Sequence, residues 1–235
     1  MEKIKIQKYI ALCGITSRRK AEQLIKQGKV TVNGKKAFIG ERIDLTDKVE
    51  INNKTLSGPL KKIYLVLNKP SGYVCTRRSF KNEKNIFSLV KISGIFSIGR
   101  LDKNSEGVLL LTNDGDLSLK LTHPRYQHLK KYEILLDKNI LIRDFQKLTQ
   151  GIWIKPDSSQ NFFSRPVNIK KISPRKIVLS LKEGKKRQIR LMLNSLGYKI
   201  KKLKRIDFCG ISLNGLPKGK WRFLNKKEIK SLKSL

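Results

Sequence analysis

Apolar residues in the first fifty positions recur first at helical spacing and then in alternation. Ile4, Ile6, Tyr9, Ile10 and Leu12 fit one face of a short amphipathic helix that Gly14 ends. Ser17 has the side chain of an N-cap. The segment 18–27 behind it carries an apolar stripe of Ala21, Leu24 and Ile25 before Gly28 closes it. Val30-Thr31-Val32 alternates as a strand does, and Asn33-Gly34 is a hairpin pair. The spacing predicts a helix–helix–hairpin unit over 3–51, small enough to be marginal on its own core. Residues 52–61 are polar, lack periodicity and carry Ser57-Gly58-Pro59, so they read as a linker.

From 62 to 235 the pattern predicts strands at 63–67, 73–76, 108–112, 132–136 and 177–181. Helices are expected at 116–121, 141–150 and 187–196. The two kinds of element do not alternate regularly, which argues against a doubly wound parallel sheet. The expectation is an α+β fold: a small N-terminal unit, then a larger domain built on a mixed, mostly antiparallel sheet with flanking helices.

Charge narrows the partners. There are 53 lysines and arginines against 18 aspartates and glutamates, a net charge of +35. Such an excess repels itself unless a polyanion is the working partner, and nucleic acid is the leading candidate. Compositional drift towards lysine, asparagine and isoleucine can inflate the figure, but the basic residues also fall within specific motifs. No 18-residue apolar run or lipidation signal points to a membrane. Cys13, Cys75 and Cys209 are too far apart to suggest a disulfide framework or metal cluster. The expectation is a reduced, cytoplasmic protein, and a monomer, since no long apolar face is evident.

The stretch Gly99-Arg100-Leu101-Asp102-Lys103-Asn104-Ser105-Glu106-Gly107 runs straight into the apolar Val108-Leu109-Leu110-Leu111. A carboxylate held against a core strand is either paired with a cation or used. The stretch starts like a calcium loop, but Asn113 occupies the twelfth position, where a bidentate glutamate is needed. Asn113-Asp114-Gly115-Asp116 reads as a turn entering a helix. No phosphate-binding glycine loop is present, and His123 and His128 are the only histidines, which argues against a histidine-dependent hydrolase. Two further segments have the look of a site. Lys131-Tyr132 opens a strand, and Glu183-Gly184-Lys185-Lys186-Arg187-Gln188-Ile189-Arg190 places cations at a helix start, against the macrodipole.

Two resemblances follow from these motifs. Gln7-Lys8-Tyr9-Ile10, Gly14 through Glu22, Ile25, Gly28-Lys29-Val30 and Val32-Asn33-Gly34 resemble the small RNA-binding domain named after the fourth protein of the small ribosomal subunit. That likeness implies RNA phosphate contacts by Arg18, Arg19, Lys20, Lys29, Lys35 and Lys36. The larger domain carries Leu67-Asn68-Lys69-Pro70-Ser71-Gly72-Tyr73-Val74, the 99–107 loop, Leu109 through Gly115, Lys131-Tyr132 and the basic helix start, in that order. Together they resemble the ribosomal RNA pseudouridine synthases that bear such an N-terminal domain.

This second resemblance implies isomerisation of a specific uridine in ribosomal RNA, free or in an assembling subunit. Asp102 is implied as catalytic nucleophile, Tyr132 as the ring against the target base, and Arg190 as the basic partner of Asp102. Arg100 is implied to displace the base, with Lys185, Lys186 and Arg187 as further RNA contacts. The reaction exchanges a C1′–N1 bond for a C1′–C5 bond without gain or loss of atoms, so no cofactor and no metal are expected. The base must leave its stack, at a cost of a few kcal/mol. Leu191 departs from the family, which has a second basic residue there, and the RNA contact of that residue is missing with it. The competing readings are a non-catalytic RNA-binding or ribosome-assembly factor on the same fold and a transfer-RNA-modifying enzyme.

Overall fold

The computed structural model describes residues 3–77, 83–154, 160–165 and 167–235. The chain divides into two units, one of Met1–Ile63 with Ile92–Phe96 and Thr112–Asp114, the other of the remaining residues.

In the first unit, β1 (Ile4–Lys5) pairs with β4 (Arg42–Ile43), and α1 (Ile6–Leu12) follows β1 at once. The helix therefore starts two residues later than its apolar spacing suggests, because Lys5 is extended. Ser17 caps α2 (Arg18–Lys26), its hydroxyl accepting from the Lys20 amide at 3.4 Å. Ile6, Ile10, Ala21 and Ile25 pack with Val30, Ile43 and Val49 into one core. A small sheet runs in the order β3 (Lys35–Lys36), β2 (Val30–Val32), β5 (Val49–Ile51), β6 (Lys54–Thr55). Asn33 and Gly34 turn β2 into β3 with φ of 50° and 82°, the geometry of a tight hairpin.

The segment expected to be a linker departs from that expectation at its start. Asn52 and Asn53 take φ of 48° and 62° and fold β6 back onto β5. Asparagine tolerates this left-handed region. Both β6 residues are exposed, so apolar alternation gives no sign of the strand.

The second unit is built on one mixed sheet. Its chain order is β7 (Tyr64–Lys69), β8 (Tyr73–Val74), β9 (Lys84–Asn85), β10 (Phe96–Ser97), β11 (Glu106–Thr112), α3 (Gly115–Thr122) and β12 (Lys130–Leu136). There follow α4 (Ile142–Gln150), β13 (Ile152–Ile154), β14 (Phe162–Ser164), β15 (Asn168–Ser173), β16 (Lys176–Leu181) and α5 (Gln188–Ser195). The chain ends with β17 (Ile200–Phe208), β18 (Ile211–Ser212), β19 (Trp221–Phe223) and α6 (Lys226–Ser234). The main path through the sheet is β15-β16-β12-β17-β11-β7-β19. β11 and β17 run parallel, while β15, β16, β12 and β17 are antiparallel in turn, as are β7 and β19. This is the α+β architecture with a mostly antiparallel sheet that the sequence pattern predicts.

Every residue of β7 and β11 is buried, as expected of central strands covered on both faces. One core joins Ile134, Leu136, Leu148, Ile177, Leu179, Met192, Leu193 and Leu203. The other joins Val66, Val108, Leu110, Leu117, Leu121, Phe208, Ile211 and Leu232. α6 and β17 are among the elements that apolar spacing leaves unmarked. α6 is announced by a capping box, with Asn225 and Glu228 each accepting from the other's amide at 2.9 Å. β17 is hidden for a reason that concerns the site.

Candidate active site

The 99–107 loop is held by the last residue of β7 and the segment that follows it. Lys69 is wholly buried (0% exposed), and its ammonium reaches four carbonyls: Ser105 at 2.7 Å, Pro70 and Asp102 at 3.1 Å, and Lys103 at 3.2 Å. A buried charge costs several kcal/mol unless such partners satisfy it. Gly72 adds an amide to the Lys103 carbonyl at 2.8 Å, and the Cys75 thiol donates to the Leu101 carbonyl at 3.4 Å. The backbone on both sides of Asp102 is thus held by groups outside the loop.

Burial pulls the Lys69 ammonium down to about 8, opposed more weakly by the Cys75 thiol, Asp102 and Glu106. Its pKa is lower folded than unfolded, so between pH 8 and 10.5 the unfolded chain binds more of this proton. Lys69 should therefore favour folding increasingly as pH rises through that window. Urea unfolding of the wild type against Lys69→Met should show the difference moving towards the wild type, by at most about 1.4 kcal/mol per pH unit. A difference independent of pH there would contradict the assignment.

Asp102 is half-buried, its side chain 38% exposed. It lines a cavity of about 910 Å³ shared with Arg100, Tyr132, Arg187, Arg190 and Arg205. Arg190 comes from the first turn of α5. Its Nη2 donates to the Asn104 carbonyl at 3.0 Å and the Ser105 hydroxyl at 3.4 Å, and its Nε lies 3.8 Å from Asp102 Oδ2. The Nε–Oδ2 approach is an ion pair without a hydrogen bond, and the buried Nε has no hydrogen-bond partner among the described residues. Burial shifts the Arg190 guanidinium below its ordinary range, with Asp102 opposing the shift. Arg190 is anchored to the loop backbone, leaving the carboxylate lone pairs open to the cavity.

The start of α5 is set by Gln188, which is buried. Its amide nitrogen donates to the Ser164 hydroxyl at 3.0 Å and to Glu183, and its amide oxygen accepts from the Lys185 backbone at 3.1 Å. The helix begins at Gln188, one residue later than expected. Arg187 is left as the cap at φ 54°, a conformation that costs a non-glycine residue on the order of 1 kcal/mol.

Tyr132 reaches the cavity through an irregular strand pair. Lys130 faces Phe208 and Lys131 faces Asp207, but Tyr132 faces Arg205, so Ile206 is an extra residue on β17. This bulge puts Phe208, Arg205 and Leu203 on one side, and all three line the cavity. Residues opposite one another in a ladder project to the same face about 5 Å apart, which places Arg205 beside Tyr132. Arg205 is 3% exposed, with Nε donating to the Val108 carbonyl at 2.8 Å and the guanidinium 4.7 Å from the centre of the Phe208 ring.

The structure thus brings Asp102, Tyr132, Arg190, Arg100, Lys185 and Arg187 to one cavity, while Lys186 is exposed outside its lining. Arg18, Arg19, Lys20, Lys29, Lys35 and Lys36 lie on the first unit, all exposed and without ion pairs among the described residues. Sequence reasoning assigns no role to Lys69, Gln188 or Arg205. Lys69 stands within the 67–74 motif, Gln188 sits among cations, and Arg205 falls in a segment with no strand signal.

The chain is similar to known proteins over nearly its whole length. Residues 63–195 match the model of the RNA pseudouridylate synthase family, and residues 4–54 match the S4 domain. The dual-specificity RNA pseudouridine synthase RluF of Escherichia coli (strain K12) is 36% identical, over 96% of this chain and 77% of its own length. The ribosomal large subunit pseudouridine synthase B of Bacillus subtilis (strain 168) is also 36% identical, over 98% and 96%. A crystal structure of a pseudouridylate synthase superposes with a TM-score of 0.70 at 27% identity, covering 97% of this chain and 99% of the other.

Proposed function

The chain belongs to the RNA pseudouridylate synthase family, and from that membership we propose that it isomerises one specific uridine of ribosomal RNA at the Asp102 cavity. The ribosomal target is supported by the S4 domain and by a relative named for the large ribosomal subunit. The observation that carries the reading is the carboxylate itself. Asp102 stands at the wall of an open cavity, beside a guanidinium anchored elsewhere and in company with a tyrosine ring. A protein that only binds RNA gains nothing from a carboxylate among phosphate-seeking cations.

In this reading the uridine leaves its stack, helped by Arg100 at the exposed rim, and its base packs against Tyr132. A carboxylate oxygen of Asp102 bonds to C1′ as the C1′–N1 bond breaks, and that electron pair stays on the base. The Arg190 guanidinium, 3.8 Å from the carboxylate, sets a positive charge beside the reacting oxygen. The detached uracil turns, C5 attacks C1′, the carboxylate departs, and the C5 proton is lost while N1 gains one. The tyrosine hydroxyl is a candidate to relay it, taking the C5 proton as it passes its own on.

Mapping pseudouridines in ribosomal RNA from cells with and without the gene tests the reading. One modified position should disappear, and an unchanged map would overturn it. Two further results are expected. Arg190→Gln should lower the single-turnover rate by about 10²-fold with RNA affinity within about threefold. Equal losses in rate and affinity would make Arg190 a binding residue only. Changing Arg18, Arg19 and Lys20 together to alanine should weaken RNA binding and reduce its salt slope by roughly one for each phosphate left without its cation. An unchanged slope would remove these residues from the RNA interface.

A further inference from the structure

Arg205 is a buried cation. No aspartate or glutamate forms an ion pair with it among the described residues, and its Nη2 has no hydrogen-bond partner. Leaving a guanidinium so placed costs several kcal/mol, and the Val108 carbonyl and the Phe208 ring offset only part of that. Other cations crowd it: Lys69 and Lys130 both feel its charge. A site of this kind calls for a negative charge that the protein does not supply.

We propose that Arg205 is a further catalytic residue, binding the negative charge that uracil carries once its bond to C1′ has broken. The inference rests on the functional reading above. When C1′–N1 breaks towards the Asp102 carboxylate, the bonding pair stays on N1 and spreads to O2 and O4 of the ring, so the base becomes an anion. It regains neutrality when C5 bonds to C1′, the carboxylate leaves, C5 gives up its proton and N1 takes one. A donor fixed where this charge develops lowers the barrier. Position separates the base from the other anion at hand, a backbone phosphate. A solvated phosphate would meet exposed cations such as Arg187 at the rim. Arg205 sits deep, 3% exposed, opposite Tyr132 in the ladder and in the cavity lining, away from the solvated rim.

The test compares Arg205→Gln with wild type on ribosomal RNA transcripts carrying uridine or 5-fluorouridine at the target. Rates are those of C1′–N1 cleavage, followed as loss of the starting nucleoside because fluorine leaves no proton on C5, in single turnover at saturating enzyme, with Kd by titration. Fluorine makes N1 of the departing base more acidic, so its anion needs less stabilisation. The expected result is a loss of about 10²-fold on uridine with Kd within about threefold, and a loss at least about tenfold smaller on 5-fluorouridine. Equal losses on both substrates would overturn the proposal, because a structural role is blind to the leaving group. So would a raised Kd with an unchanged saturating rate, the signature of a phosphate contact. Arg205→Lys, which keeps the charge, undergoes the same comparison if the glutamine variant does not fold. Unfolding of both variants would make Arg205 structural and end the proposal. A wild type inactive on ribosomal RNA would overturn the functional reading as well, whereas equal losses in an active enzyme overturn the inference alone.

Discussion

Replacing Asp102 by asparagine is expected to abolish pseudouridine formation, by at least about 10³-fold, with RNA affinity changed less than about threefold. The substitution is nearly isosteric and leaves in place the backbone contacts that hold the loop, since Lys69 and Gly72 bind main-chain carbonyls and not the carboxylate. The negative charge and one carboxylate oxygen are what the variant lacks. Arg190 retains its bonds to Asn104 and Ser105, so the cavity keeps its shape. The variant should unfold within about 1 kcal/mol of the wild type, because the pair it breaks is half-exposed and not hydrogen-bonded. Retained isomerisation would remove Asp102 from the chemistry. Loss of RNA binding together with activity would leave the non-catalytic reading standing.

Gly107→Ala should have the largest effect on folding. Gly107 is the second residue of β11 and faces Arg205 of the parallel strand β17, with φ at +105°. A Cβ built there would stand 2.2 Å from the Arg205 carbonyl oxygen and 2.9 Å from its amide nitrogen. Both are backbone atoms of the adjoining strand, so no side chain can swing aside. Strain at this φ and the forced parting of the strands each cost about 1–3 kcal/mol. The sum corresponds to a thermal midpoint lower by roughly 10 °C for a chain of this size. Gly210→Ala is the matched control: its φ is +80°, but nothing lies within 4 Å of the added carbon. It should lose only the conformational part, roughly 1 kcal/mol. Equal falls in the two variants would show that the close approach to Arg205 is not what Gly107 provides. The Gly107 variant should also lose activity beyond its loss of stability, because the displaced strand carries Arg205.

The elements that sequence makes legible are those with local signals. α2 is readable because its cap, its stripe and its closing glycine all lie close together along the chain. β7 and β11 are readable because strands buried on both faces are continuous apolar runs. β17 is not, although it lies at the centre of the sheet. Its sequence Ile-Lys-Lys-Leu-Lys-Arg-Ile-Asp-Phe does not alternate, since the extra Ile206 switches faces midway and places an arginine on the inward side. A bulge exists only against a partner strand, so a single strand carries no mark of it. β6 escapes for the opposite reason: exposed on both residues, it is held by main-chain bonds and the Asn52-Asn53 turn.

Order along the chain, residue chemistry and charge are properties of the sequence. They are enough to mark Asp102, Tyr132 and Arg190 as candidates and RNA as the partner, because charge sums without regard to fold and motif spacing is itself linear. What each side chain meets is decided only by the tertiary structure. Lys69 reaches under a loop more than thirty residues away, and Arg205 lies beside Tyr132 through a strand register shift. Burial and the presence or absence of a partner are properties of three-dimensional packing, and they turn one lysine into a clamp and leave one arginine with an Nη2 that has no partner among the described residues.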